Sequence, residues 1–222
     1  MLMNKPAHER IIIPLDLSTA DEAARIVTRL KGRVGMFKVG LQLYTAAGPD
    51  AVRRITGLGE RVFLDLKLHD IPNTVARAAA EAARLGVTMI DFHLAGGARM
   101  VNAAREAVEA AGLRAQDRPI LLGITVLTSF DQDDLRSVGV DEPVEEQVTR
   151  LARLGLAAGL DGVVASPHEV SAIRAACGPR FVIVTPGIRP AGASRGDQKR
   201  IMTPGEAMVA GSDYLVIGRP NR

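Results

Sequence analysis

The sequence predicts a (β/α)8 barrel, and three observations predict it. Eight short apolar runs of strand type alternate with helical segments, at a repeat of roughly thirty residues per strand–helix unit. Polar residues end many different strands: Asp16, Lys38, Asp65, Lys67, His93, Thr125 and Thr185. The 222 residues, 47% of them apolar, suffice for one sizeable domain over 1–222 with a substantial core. A closed parallel sheet gathers such strand ends at one mouth, which the runner-up architecture, a doubly wound open sheet, does not.

Strand one is expected over 10–16, with Asp16 at its carboxyl end. Ser18 or Thr19 caps a helix over 20–30, helped by Asp21 and Glu22 in its first turn. Strand two covers 34–39 and ends on Lys38, which shares the barrel-facing parity of Val34 and Met36. A helix follows over 42–56. Strand three lies in the run 61–74, with Asp70 beyond it, and its helix is expected over 72–85, where Pro72 suits a first helical turn. Strand four is expected over 87–93, followed by a helix from Gly96-Gly97 to 111. Strand five covers 119–126. A polar stretch of helical character, 131–138, leads to a helix over 144–158. Strand six covers 160–165, and Ser166-Pro167 starts a helix to 176. Strand seven covers 181–185. A Gly/Pro/Arg-rich loop over 186–200 and a short helix over 204–210 lead to strand eight, 213–217.

The composition excludes several classes. No apolar run is long enough to span a bilayer, and residues 1–10 are polar, without a signal-type apolar segment. Cys177 is the single cysteine, which excludes an internal disulfide framework, argues against a structural zinc site and fits a reducing compartment. The expected location is the cytoplasm. A formal net charge of +3 with scattered basic residues and 3% aromatics gives no nucleic-acid stripe.

Strand three carries the chemistry. In the run 61–74, Val62, Leu64, Leu66 and Leu68 alternate with Asp65, Lys67 and His69. Side chains of a strand alternate between faces, so the aliphatic set packs on the helices and the charged set points into the mouth. An arbitrary Asp-x-Lys pair is most often a surface salt bridge, but this flanking pattern uses both faces. A second constellation has phosphate chemistry. Gly187 and Arg189 follow strand seven, and Gly218 and Arg219 follow strand eight. Barrels frequently bind phosphate with these two loops, where glycine admits backbone N–H groups and arginine donates bidentate bonds.

Asp65-x-Lys67-x-x-Asp70, within Leu-Asp-Leu-Lys-Leu-His-Asp-Ile-Pro-Asn-Thr, closely resembles the signature of the orotidine 5′-monophosphate (OMP) decarboxylase family. The Asp-x-Lys-x-x-Asp part is shared with sugar-phosphate lyases and aldolases on the same barrel; Ile-Pro-Asn-Thr narrows it. The resemblance spans 12–219. It implies decarboxylation of OMP to uridine 5′-monophosphate (UMP), a step of pyrimidine biosynthesis, with no metal or organic cofactor. It implies that Lys67 protonates C6 of the pyrimidine, that Asp65 faces the substrate carboxylate, and that Lys38 orients Asp65 and the ribose. Asp70 and Thr74 would come from the other subunit of a homodimer. Asp16 would hold a ribose hydroxyl and Thr128 the pyrimidine edge. Arg189, Gly218, Arg219 and Gln198 would take the 5′-phosphate. His69, His93 and Cys177 are expected to be structural.

Family members resembling this chain carry a closing helix after strand eight, whereas this sequence stops at Pro220-Asn221-Arg222. An apolar face beside strands eight and one is therefore expected to lie uncovered or to meet a partner. Two rival readings remain. One is a metal-dependent sugar-phosphate decarboxylase, aldolase or epimerase, which a chelator would silence. The other is a catalytically dead nucleotide-binding barrel, which would hold UMP without turnover.

Overall fold

The computed structural model describes residues 5–189 and 202–218. Strand β1 (Ile11–Pro14) leads to α1 (Ala20–Leu30), β2 (Met36–Gly40), α2 (Leu41–Gly57), β3 (Val62–Leu68) and α3 (Pro72–Arg84). Then come β4 (Met89–His93), α4 (Gly97–Glu109), β5 (Ile120–Ile124), the short α5 (Gln132–Ser137) and α6 (Val144–Ala157). The chain continues through β6 (Gly162–Val164), α7 (Val170–Cys177), β7 (Val182–Thr185), α8 (Pro204–Ala210) and β8 (Tyr214–Val216). All eight strands are parallel, each pairs with the next, and β8 pairs with β1 to close the barrel. The predicted architecture is the observed one.

Two apolar layers follow from the period-two pattern of the strands. Ile12, Met36, Phe63, Met89, Leu122, Val184 and Tyr214 belong to the cluster that fills the barrel interior. Residues of the opposite parity, such as Phe37, Leu64, Ile90 and Val163, pack against the helices. Each large side chain so buried contributes about 1.5–3 kcal/mol. The interior filling makes a solid floor, so a ligand enters only at the carboxyl end of the strands. Lys5 closes the opposite end: its Nζ donates to the Tyr214 hydroxyl at 2.8 Å and lies 5.1 Å from the ring centroid.

Helix starts are specified locally. Thr19 accepts from the Glu22 N–H at 3.2 Å, as its place before Asp21 and Glu22 predicts. Asp131 and Thr203 each form a reciprocal capping box, with Asp134 and Glu206. Such caps stabilise by about 1 kcal/mol each.

The structure departs from the expected elements in several places. Strand β1 ends at Pro14, which has no N–H to donate, so Asp16 lies beyond it. Val34 precedes β2 and packs with the outer layer, not the interior. The helix expected over 42–56 is broken at Gly48, whose φ of 58° is non-helical, and Pro49 restarts it. The helix expected from Ser166-Pro167 begins as a 3-10 turn, Pro167–Glu169, before α7.

The face beside β8 is not bare. Leu215 and Ile217 are buried in a cluster with Ile188 and Ala207, against which Ile11, Met202 and Met208 pack. Among the described residues no helix follows β8, and none is long and apolar enough to cross a membrane.

Candidate active site

A cavity of about 340 Å³ opens at the carboxyl end of the strands. Asp16, Lys38, Asp65, Lys67, Thr128, Arg189 and Gly218 all line it. Seven of the residues singled out in the sequence thus meet in one place. Asp70, on the β3–α3 connection, and Thr74, in the first turn of α3, do not: both are exposed and lie outside the lining. Gln198 and Arg219 fall outside the described residues.

The row of charge is built by two neighbouring strands. Lys38 projects inward from β2 with the parity of Met36, and Asp65 projects inward from β3 with the parity of Phe63. Lys38 Nζ stands 2.7 Å from Asp65 Oδ2. Lys67 Nζ pairs with the other oxygen, Asp65 Oδ1. Only 7% of Asp65 is exposed. Burial alone would raise its pKa, but the Lys38 charge, a hydrogen bond from Asp91 and the Lys67 charge hold it well below the usual carboxylate range. Burial pulls Lys38 down, yet the charge of Asp65 and its hydrogen bond, with Asp16 and Asp91 behind, leave it raised. Both groups of this pair are therefore ionised at neutral pH.

The strand is distorted where the chemistry sits. Between β3 and β4 the register runs Leu64↔Ile90 and then Leu68↔Phe92, so four steps on β3 face two on β4. Lys67 lies in this bulge at φ 51°, the one described residue other than glycine with positive φ. A left-handed conformation costs an L-residue roughly 1–2 kcal/mol. Bulges re-aim side chains next to active sites, and here the irregularity carries Lys67 to the cavity wall. The simple alternation expected for 62–69 therefore holds through Asp65 and gives way after it. Leu66 and Leu68 are only half-buried, and His69 is exposed.

Sequence reasoning missed Asp91. It lies on β4, 0% exposed, and its Oδ1 accepts the Lys67 N–H at 2.8 Å. Its carboxyl stands within hydrogen-bonding reach of Asp65. The available signal was parity: Asp91 is two residues from Met89, which fills the barrel interior, so it had to point inward.

The opposite wall suits an anion. Arg189 is only 8% exposed and lines the cavity beside Pro186 and Gly187, with its Nη1 donating to the Ile188 carbonyl at 3.0 Å. Just after β8, a Cβ on Gly218 would come within 2.9 Å of Pro14 Cγ at the end of β1. Only glycine lets the backbone pass here. His69 and His93 stack obliquely with centroids 5.5 Å apart; burial first, then His69 and Lys67, hold His93 below its ordinary pKa. Burial likewise pushes the Cys177 thiol up, which fits a packing role. Among the described residues no three His, Cys, Asp or Glu side chains converge as a metal site.

Comparison with known proteins agrees with this geometry. The chain is 58% identical over 215 residues to orotidine 5′-phosphate decarboxylase of Syntrophotalea carbinolica, covering 96% of this chain and 88% of that protein. It is 57% identical over 217 residues to the enzyme of the same name from Moorella thermoacetica, covering 96% and 86%. The crystal structure of orotidine 5′-phosphate decarboxylase from Lactobacillus acidophilus superposes with a TM-score of 0.84 at 38% identity, covering 95% of this chain and 90% of that one. A family model described as orotidine 5′-phosphate decarboxylase / HUMPS family matches residues 9–220. With the charged row on β2 and β3 and the anion wall after β7 and β8 inside that match, the chain belongs to this family.

Proposed function

We propose that the chain, acting as one domain per subunit, decarboxylates OMP to UMP, with Lys67 as the acid. The observation that carries this reading is the Lys38–Asp65–Lys67 row on one wall of a cavity whose other wall offers Arg189 and Gly218. The C6–carboxylate bond breaks, CO₂ departs, and the electron pair stays on C6. Lys67 then delivers its proton to C6 and is reprotonated from solvent. The carbanion has little resonance relief, so a fixed ammonium beside it stabilises the transition state more than the ground state. Asp65 faces the substrate carboxylate and keeps both lysines in place. Lys38 orients Asp65 and reaches the ribose, and Asp16 holds a ribose hydroxyl. Thr128 reads the pyrimidine edge. Arg189, Gly218 and Arg219 take the 5′-phosphate, joined by Gln198. The working unit is a symmetric homodimer in the cytoplasm, each subunit lending Asp70 and Thr74 to its partner's site. Support for that arrangement comes from the exposure of both residues beside Ile71, an apolar side chain that is 66% exposed.

The test is a spectroscopic assay of OMP consumption in the presence of excess chelator. Turnover to UMP and CO₂ is the expected result. Activity silenced by the chelator would give the site to a metal-dependent reaction, and tight UMP binding without turnover would make this a binding barrel.

A further inference from the structure

The bulge in β3 leaves a problem that the reacting residues do not solve themselves. Lys67 is turned to positive φ, so its amide N–H leaves the ladder between β3 and β4. A buried N–H without an acceptor is costly, and a strained residue persists only when its surroundings hold it. The acceptor is Asp91 Oδ1, at 2.8 Å. The other oxygen, Oδ2, is buried and meets no donor. Yet this carboxyl stands against the carboxyl of Asp65. Two ionised carboxylates do not share a buried contact; a proton must lie between them. Asp65 already receives two ammonium groups, one on each oxygen. The proton therefore belongs to Asp91.

We propose that Asp91 is a positioning residue for the reaction: as a neutral carboxylic acid it accepts the Lys67 N–H with one oxygen and donates its own proton to Asp65. One carboxyl group thereby holds both members of the reacting pair, Lys67 by its backbone and Asp65 by its side chain. Ionisation of Asp91 would put a second negative charge beside Asp65 and draw Lys67 between two acids, loosening the single geometry. This inference rests on Lys67 and Asp65 being the reacting pair.

The groups around Asp91 all bear on its proton. From β3 come Asp65, which disfavours ionisation, and Lys67, whose charge and N–H favour it; Lys38 stands behind them on β2. From β5 the register neighbour is Leu122, which is buried and apolar. Burial leads these effects, with the Asp65 charge and hydrogen bond next, and the net result is a carboxyl raised well above its ordinary value of 3.8. The sign of the stability effect follows. A group whose folded value is raised contributes stability that is full below the unfolded value and is lost as pH rises towards the folded one. Parent protein should therefore lose stability with rising pH in a way that an amide at this position cannot.

Asparagine reproduces both contacts, with an oxygen for the Lys67 N–H and an NH₂ for Asp65. The experiment compares Asp91→Asn and Asp91→Ala with the parent in three measurements. Steady-state turnover of OMP should fall at least a hundredfold in kcat for Asp91→Ala with KM within about threefold, and Asp91→Asn should restore kcat to within about threefold of the parent. The Tm of unliganded Asp91→Asn, relative to the parent, should be higher at about pH 8.5 than at about pH 5.5. The infrared difference spectrum between parent and Asp91→Asn should contain the carbonyl stretch of a protonated carboxyl at neutral pH.

Asp91→Asn as inactive as Asp91→Ala, Asp91→Ala with parental kcat, a Tm difference that does not vary with pH, or the absence of that carbonyl band would each overturn the proposal. If Asp91→Ala does not fold, the Asn variant alone decides through the last two measurements. Those two use unliganded protein, so they read the Asp91 proton even if OMP proves not to be the substrate. Failure of the inference and failure of the proposed reaction are thus distinguishable.

Discussion

At the amino-terminal end of the barrel, Arg174 reaches Asp213 at 2.9 Å and donates to the carbonyls of Gly178, Phe181 and Gly211. At the carboxyl end, Lys38 and Lys67 converge on one acid, while Asp91 buries an oxygen that meets no donor. The first arrangement is saturated. Asp213 also accepts the Ile183 N–H at the start of β7, and Asp161 repeats the device by accepting the Leu121 N–H of β5 and pairing with Arg118. Each of these acids stands just before one strand and ties down the strand that precedes it in the barrel. The second arrangement crowds charge into an apolar setting and holds a lysine at positive φ beside it. The lower end therefore serves stability, and the upper end keeps a geometry that the fold must enforce. Substitutions at the two ends should separate cleanly into losses of stability and losses of rate.

The largest effect belongs to the upper end. Lys67→Ala should lower kcat by at least about 10³-fold, because its charge acts on negative charge at C6 that develops only as CO₂ departs. UMP affinity should stay within about tenfold, or roughly 1.4 kcal/mol. Turnover within tenfold of the parent would remove Lys67 from the role of acid and erase the contrast between the two ends.

The lower end should give the mirror image. Arg174→Ala leaves Asp213 without its cation and three carbonyls without a donor, so unfolding free energy should drop by about 3 kcal/mol. Urea denaturation measures it. The kcat/KM of the remaining folded protein should not change, since none of these groups lines the cavity. An activity loss without a stability loss would show that the two ends are coupled.

Arg189→Ala sharpens the comparison within the mouth itself. A charge-assisted bidentate contact to phosphate is worth roughly 1.5–3 kcal/mol, so UMP should weaken by about ten- to a hundredfold while uridine barely changes. Isothermal titration with both ligands decides it. Equal weakening of the two would place the phosphate elsewhere.

How much of this was readable in the sequence follows the same division. The strand–helix alternation fixed the barrel, because period-two apolar runs between helical segments leave few other packings. The inward parity of Lys38 and Asp65 was readable because both sit in regular strand. Lys67 lines the cavity, but not by the regular alternation that the sequence suggested; its conformation was not readable, since a bulge depends on how β3 meets β4. Asp91 was missed for a related cause: alone in an apolar strand it shows no partner until the barrel closes. The break at Gly48-Pro49 was legible in principle and overlooked, since a proline after glycine inside a helical run marks a restart. The paired acids below the barrel, Asp161 and Asp213, were silent because each acts on a neighbouring strand tens of residues away in sequence.

The smallest effect tests whether the mouth is completed by a second chain. Asp70 accepts the Ile71 N–H at 2.6 Å, is exposed, and lies off the cavity lining, as does Thr74. Leu41 and Ile71, at the ends of β2 and β3, are 58% and 66% exposed, so apolar surface lies at the same rim. Lys67→Ala and Asp70→Ala homodimers, each expected to be nearly inactive, are unfolded and refolded together. In a mixed dimer with twofold symmetry, one site collects both substitutions and the other receives intact Lys67 from one chain and intact Asp70 from its partner. Random pairing makes about half the dimers mixed, each with one good site in two, so about a quarter of parental activity should return. If both residues act within one chain, no pairing restores a site. Activity that stays at the level of the separate variants, with mixed dimers verified by mass, would confine the mouth to a single subunit.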